Sequence, residues 1–199
     1  MRPDPVVLGF DTSAAHCAAA LLAGGDIVAA RVEEMQRGQA ERLMPLLEEL
    51  LSEAGCGWAD LDALGVGIGP GNFTGIRIAV AAARGLALGL GKPAIGVDGF
   101  EARSFGKTPP FACLVPAPRG AVYRVEMHET GASDPVLQPR PDAALGLTVL
   151  PEPPVATQVE NIARAAACRC HVPQPRPAPL YLRAADAAPP RDPAPVILP

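Results

Sequence analysis

The chain has 199 residues, 49% of them apolar and 19% charged, with 17 Lys and Arg against 21 Asp and Glu. That balance belongs to a folded chain with one large or two small apolar cores and excludes a disordered one. A formal net charge of −4 offers no electrostatic footprint for a phosphate backbone, so tight RNA binding by the chain alone is not expected.

The apolar run Val6-Val7-Leu8-Gly9-Phe10 after Met1-Arg2-Pro3-Asp4-Pro5 has strand length and stops at Asp11, unlike a signal-peptide core. Cys17–Leu22 reads as a second strand. Ala23-Gly24-Gly25-Asp26 supplies turn chemistry before a third, Ile27 to Val32. Over Gln39–Ala54, Leu43, Leu46, Leu47, Leu50 and Leu51 recur at helical spacing, with Glu41, Arg42, Glu48, Glu49 and Glu53 opposite. Pro45 fits the first turn of such a helix or kinks one that starts earlier. Gly55 and Gly57 stop it.

Leu61–Ile68 reads as a buried parallel strand broken by Gly69-Pro70-Gly71-Asn72. A second helix, Thr74 to Leu90, is apolar or small almost all round. Arg84 interrupts its apolar stretch Ile78–Ala83, so no membrane span is expected. Ala94–Val97 is the next strand and Glu101–Ser104 a helical turn. The order βββαβα(β) is that of a mixed sheet with helices packed on it.

Proline becomes dense from Pro109. Phe111–Val115 and Ala121–Met127 form a hairpin around Pro118-Arg119-Gly120, with half-buried alternation in the second strand. Residues 131–154 read as loop and Val159–Cys168 as a short helix. The tail carries Pro173, Pro175, Pro177, Pro179, Pro189, Pro190, Pro193, Pro195 and Pro199, which favour extended backbone. A boundary near Phe100–Pro110 divides the chain into residues 1–105 and a reduced second unit, 106–199.

Three constellations could carry function. Asp11-Thr12-Ser13 follows a strand, as phosphate-cupping turns of ATPases do, yet the same residues also close a hairpin by side-chain hydrogen bonds. Gly69-Pro70-Gly71-Asn72-Phe73-Thr74-Gly75-Ile76-Arg77 precedes a helix and could attract an anion. Its spacing matches neither G-x-G-x-x-G nor a Walker loop. Asn72 or Thr74 could equally cap the helix, with Phe73 under the sheet. The helix pair is the third. Gly75, Ala79 and Ala83 form one small-residue row, Ala81, Gly85 and Gly89 another, and close helix approach follows from such rows. With Leu43, Leu46, Leu47 and Leu50 on the first helix, this is more apolar surface than one sheet face requires. Gly75, Ile76, Arg77, Ala79 and Ala83 then belong to a partner interface, where Arg77 would meet a carboxylate across subunits.

Catalytic motifs are missing from the sequence. His16, His128 and His171 form no H-x-x-x-H or H-E-x-x-H pattern, and there is no G-x-S-x-G elbow. Cys168-Arg169-Cys170-His171 lacks the second ligand pair that zinc requires. No catalytic residue, metal or cofactor is therefore expected. Cys17, Cys56, Cys113, Cys168 and Cys170, an odd set without C-x-x-C, point to reduced thiols in the cytoplasm.

The segments Gly9-Phe10-Asp11-Thr12-Ser13, Glu41-Arg42-Leu43-Met44-Pro45, Gly67 through Ile78 and Gly85-Leu86-Ala87-Leu88-Gly89 resemble the TsaB/YeaZ family. So does Pro179-Leu180-Tyr181-Leu182-Arg183 with Ala185-Asp186-Ala187. The resemblance implies an α/β, actin-like/sugar-kinase-like (ASKHA) fold of two subdomains and a helical interface serving a homodimer or a heterodimer with a TsaD-type transferase subunit. It further implies a TsaE-type ATPase in the same complex, whose product is threonylcarbamoyladenosine beside the anticodon of tRNAs reading A-starting codons. Transfer chemistry then sits on TsaD, this chain being a non-catalytic scaffold subunit that meets tRNA only within the complex. Pro116-Ala117-Pro118-Arg119-Gly120 stands where the family has an Asp-Ala-Arg-like turn, and the second unit is shorter than usual. An ASKHA-type ATPase or small-molecule kinase is the alternative, but it needs a second glycine-rich phosphate loop. After Phe100 the sequence offers only isolated Gly106, Gly120, Gly131 and Gly146. A glycoprotease-like peptidase, the second alternative, needs a metal-binding histidine pair or a nucleophile motif.

Overall fold

The computed structural model describes residues 4–139 and 146–182. β1 (Val7–Asp11), β2 (His16–Ala23) and β3 (Asp26–Glu34) form the expected antiparallel meander. α1 (Gln39–Glu53) follows, with Pro45 in its interior instead of its first turn. β4 (Ala63–Gly67) lies parallel to β1. α2 (Phe73–Leu90) leads to β5 (Ala94–Val97), parallel to β4, and the short α3 (Gly99–Ser104). The resulting five-stranded sheet has the order β3-β2-β1-β4-β5.

Side chains of a strand alternate between faces, and here each face has its own cover. Leu8, Phe10, Leu21, Leu64 and Val66 meet the leucine stripe of α1 and Ile76, Ala79 and Ala83 of α2 in one core. The opposite face brings Val7, Leu22, Ala63 and Ile95 onto Ala163 and Ala166. These belong to α4 (Val155–Arg169), which starts four residues before the expected Val159. Gly9 and Gly65 are register partners on β1 and β4. A Cβ on Gly9 would stand 2.7 Å from the Ala163 nitrogen, and one on Gly65 2.9 Å from the Ile162 oxygen. The two glycines therefore set the depth at which α4 lies on the sheet.

β6 (Phe111–Pro116) and β7 (Ala121–His128) make the expected hairpin. Residues 131–154 are not all loop: β8 (Gly131–Ala132) and β9 (Val136–Pro139) both pair with β7, and Val149 bridges Ala112. This four-stranded sheet packs Phe111, Cys113, Val115, Tyr123 and Val125 against Phe100. The chain beyond residue 105 thus builds a second sheet and then returns α4 to the first.

Residues 173–182 run without regular secondary structure across the edge formed by β4, β5 and α2. Leu180 N donates to Ile68 O at 2.8 Å, and Arg84 Nε donates to Pro177 O at 2.7 Å. This segment is a strap over the carboxyl ends of the parallel strands. Arg183, Ala185, Asp186, Ala187, Pro189, Pro190, Pro193, Pro195 and Pro199 lie outside the described residues.

Candidate functional site

Two polar turns meet at the end of β1. Asp11 is only 9% exposed and Thr12 fully buried. Ser13 Oγ donates to Asp11 Oδ2 at 2.9 Å and Ser13 N to Oδ1 at 3.2 Å. Buried His16 places Nε2 2.7 Å from Oδ2, and with a carboxylate as partner that nitrogen is the donor. Thr12 Oγ1 donates to Gly75 O at 2.7 Å, and Asn72 N donates to Ser13 O at 2.6 Å.

Glycines let the turns approach this closely. A Cβ would fall 2.1 Å from Asp11 Oδ1 at Gly67, 2.3 Å from Ser13 O at Gly71 and 1.9 Å from Thr12 O at Gly75. The phosphate-loop candidates Asp11, Thr12 and Ser13 are thus engaged with one another, with His16 and with the second turn. Their chemistry here is to fasten β1 to α2. Asn72 caps α2 by accepting from Gly75 N at 2.9 Å.

The residues expected at a partner interface divide sharply. Leu43, Leu46, Leu47 and Leu50 of α1 are at most 1% exposed, as are Ile76, Ala79 and Ala83 of α2. Gly75 is also buried. These side chains fill the chain's own core, because the sheet face beneath α1 and α2 is itself wholly apolar and needs that cover. Arg77 alone of the set is exposed. Its guanidinium sits 3.7 Å from the Phe73 ring centroid, and its Nε donates to Tyr181 Oη at 2.8 Å. A cation over an aromatic face is attracted by the ring quadrupole. Phe73 and Tyr181 stack at 4.9 Å between centroids. Arg77 therefore clasps the strap where a cross-subunit carboxylate was expected.

Phe73 is 40% exposed, not under the sheet, and Tyr181 43% and Leu88 86% exposed. Helical spacing sets Phe73, Arg77, Ala81, Arg84 and Leu88 on the outer side of α2, all exposed. By length and composition alone this 18-residue helix, of mean hydropathy 1.4, could cross a membrane. Packing on the sheet accounts for the apolar character of its inner side only. The periodicity could have shown the split for Ala81 and Leu88, which lie well round the helix from Ile76, Ala79 and Ala83. The aromatic clasp could not be read, because Tyr181 is 104 residues from Arg77.

Among the described residues, no group of three or more His, Cys, Asp or Glu side chains could hold a metal ion. Burial pushes the thiols of Cys17 and Cys113 up to about 11. Burial also raises the Glu101 carboxyl, opposed by nearby Arg169, whose Nη2 donates to it at 3.1 Å.

A family model described as "TsaD: tRNA N6-adenosine threonylcarbamoyltransferase" matches residues 28–185. The TsaB protein of Escherichia coli (strain K12) is 41% identical over 92 residues, covering 46% of this chain and 39% of that protein. That of Haemophilus influenzae is 38% identical over 97 residues, covering 48% and 40%. The chain spans about two fifths of the length of these curated relatives. A tRNA N6-adenosine threonylcarbamoyltransferase of Clostridium novyi is 30% identical over 167 residues, 72% of this chain and 49% of the relative. In structure, YeaZ from Pseudomonas aeruginosa superposes with a TM-score of 0.69 at 26% identity, covering 89% of this chain and all of that one. The fold is accordingly the α/β, actin-like/sugar-kinase-like one, and the chain belongs to the TsaD family of tRNA N6-adenosine threonylcarbamoyltransferases, within it to the TsaB/YeaZ members.

Proposed function

We propose that this chain acts in the synthesis of threonylcarbamoyladenosine on tRNA as the non-catalytic partner of a TsaD-type subunit, in the cytoplasm. The observation that carries this reading is the outer side of α2, where Phe73, Leu88 and Tyr181 of the adjoining strap are each at least 40% exposed. Removing apolar area from water is worth about 25 cal/mol per Å2, so such a surface favours a protein partner over solvent. The names of the TsaB relatives supply the process. In this reading a TsaE-type ATPase joins the complex, tRNA is met only there, and two copies of the chain pair through the same side of α2 when the partner is missing.

Depletion of the chain from its own cell, followed by nucleoside mass spectrometry of bulk tRNA, tests the process. Threonylcarbamoyladenosine should fall, and unchanged modification would overturn the assignment. The kinase alternative is tested on the purified protein. Asp11 is engaged by Ser13 and His16, so no ATP turnover is expected. Turnover abolished by Asp11→Ala would replace the scaffold reading with a catalytic one.

A further inference from the structure

Five of the thirteen Lys and Arg side chains among the described residues are paired with a carboxylate. Arg31, Arg42, Arg103, Arg124 and Arg169 each face a glutamate. Arg84, Lys92 and Arg176 have no ion-pair partner among the described residues. All three line one cleft of about 740 Å3 between the carboxyl-terminal half of α2, the turn into β5 and the strap. Ala87, Leu88, Pro93 and Pro177 give it apolar walls. Small-molecule sites occupy about 300–1,000 Å3 and combine apolar walls with a few convergent polar groups.

We infer that this cleft binds a small phosphate-bearing molecule, its phosphate held by Arg84, Lys92 and Arg176 and its organic part laid against Leu88 and Pro93. The cleft shares Arg84 and Leu88 with the outer side of α2 proposed for docking, so the site is tested on the isolated chain. Three cations call for more than one negative charge. A phosphate monoester supplies about −1.5 to −2 at neutral pH with three acceptor oxygens, and a single carboxylate supplies one. The carboxyl end of α2 also faces this region, but a helix end carries only about half a negative charge, which three full cations outweigh. Arg84 is held in place, since its Nε donates to Pro177 O at 2.7 Å. Its two terminal nitrogens have donors left for a ligand. Arg176 precedes buried Pro177 on a proline-rich strap, whose fixed φ angles lower the entropy cost of holding it. Guanidinium forks suit phosphate oxygens, and a lysine acts as a point charge beside them.

The test is titration of the intact 15N-labelled chain with inorganic pyrophosphate, with a short single-stranded RNA and with a polyglutamate peptide. Pyrophosphate should shift the amides of Gly85, Leu88, Lys92 and Gln174. Lys92→Ala with Arg176→Ala should weaken it about tenfold or more, while amides away from the cleft stay where they were. Arg119, an exposed cation on the β6–β7 turn, serves as control. Equal weakening by Arg119→Ala would reduce the effect to nonspecific charge and overturn the site. If RNA moves the same amides more tightly than pyrophosphate does, the phosphate comes from nucleic acid and the small-molecule assignment is overturned. Polyglutamate moving them where pyrophosphate does not would overturn the inference in favour of an acidic protein segment. So would the failure of pyrophosphate and RNA alike to move them.

Discussion

A Cβ on Gly75 would stand 1.9 Å from the Thr12 carbonyl oxygen, while one on Gly85, in the same helix, meets nothing within 4 Å. Opposite outcomes are expected from one substitution. Gly75→Ala must push apart two backbones already joined by the Thr12 hydrogen bond, at an overpacking cost of about 1–3 kcal/mol or more. Gly85→Ala adds helix propensity at an exposed position and should stabilise by roughly 0.5–1 kcal/mol. Urea midpoints of the two variants check both signs. The cysteines sort in the same residue-by-residue way. Cys17 and Cys113 are buried, with thiols pushed up to about 11, whereas Cys168 is exposed. Only the thiolate attacks a disulfide reagent. At pH 8, Cys168 should therefore react first, and Cys17 and Cys113 only as fast as the protein unfolds. Mass mapping of an aromatic-disulfide reaction reads the order directly. Fast labelling of Cys113 in the native protein would mean that the sheet around it opens.

At the scale of elements, α1 is tied to β3 by charge as well as by leucines. Arg42 donates to both Glu33 and Glu49, and Arg31 reaches Glu49 and Glu53. The Arg42 hydrogen bonds hold the Glu33 and Glu49 carboxyls below the usual glutamate value. A depressed folded pKa contributes stability that is complete above the unfolded value of ~4.3 and is lost as pH falls through the folded one. The stability gap between wild type and Arg42→Ala should thus be full at pH 7 and shrink below about pH 4. It should also shrink in high salt, because all three groups are reached by solvent. Denaturant melts across pH measure it, and a gap constant down to pH 2 would assign the Arg42 effect to packing. The sequence made α1, α2 and β1–β5 legible because their apolar patterns are strong and glycine or proline turns bound them. β8 and β9 are two and four residues long and flanked by proline and glycine, too short for a period to register. The seat of α4 was hidden as well. It depends on Gly9 and Gly65 facing Ala163 and Ile162, a match of small surfaces between distant parts of the chain that no local pattern announces.

Taken whole, the molecule has spent one side of α2 on its own core and left the other side in water, and that division can be measured. The small-residue row Gly75, Ala79, Ala83 was legible as a close-approach surface, and it is one. What it approaches is the sheet and α1, because the inner face of α2 turns that row towards Leu8, Phe10 and the α1 leucines. Ala79 is fully buried, so Ala79→Leu should cost about 1–3 kcal/mol of folding stability. For a chain of this size that lowers the melting temperature by about 2–4 °C per kcal/mol. Partner binding by the fraction still folded should be unchanged. Leu88 is 86% exposed and makes the reverse prediction. Leu88→Asp places a charge where water already stands, so the melting temperature of the isolated chain should fall only slightly, by the roughly 0.3–1 kcal/mol that a negative charge costs in the last turn of a helix. If the outer side of α2 docks a TsaD-type subunit, that charge is desolvated on binding, and association should weaken by about tenfold or more. Arg77→Ala lies between the two. It frees Tyr181 and uncovers Phe73, loosening the strap that borders the same surface, and should weaken association more than it lowers stability. Calorimetry on each isolated variant, paired with affinity for the TsaD-type subunit co-expressed from the same genome, separates stability from docking. Leu88→Asp binding as tightly as wild type would move the docking surface off α2, and a melting temperature untouched by Ala79→Leu would contradict the packing of its inner side.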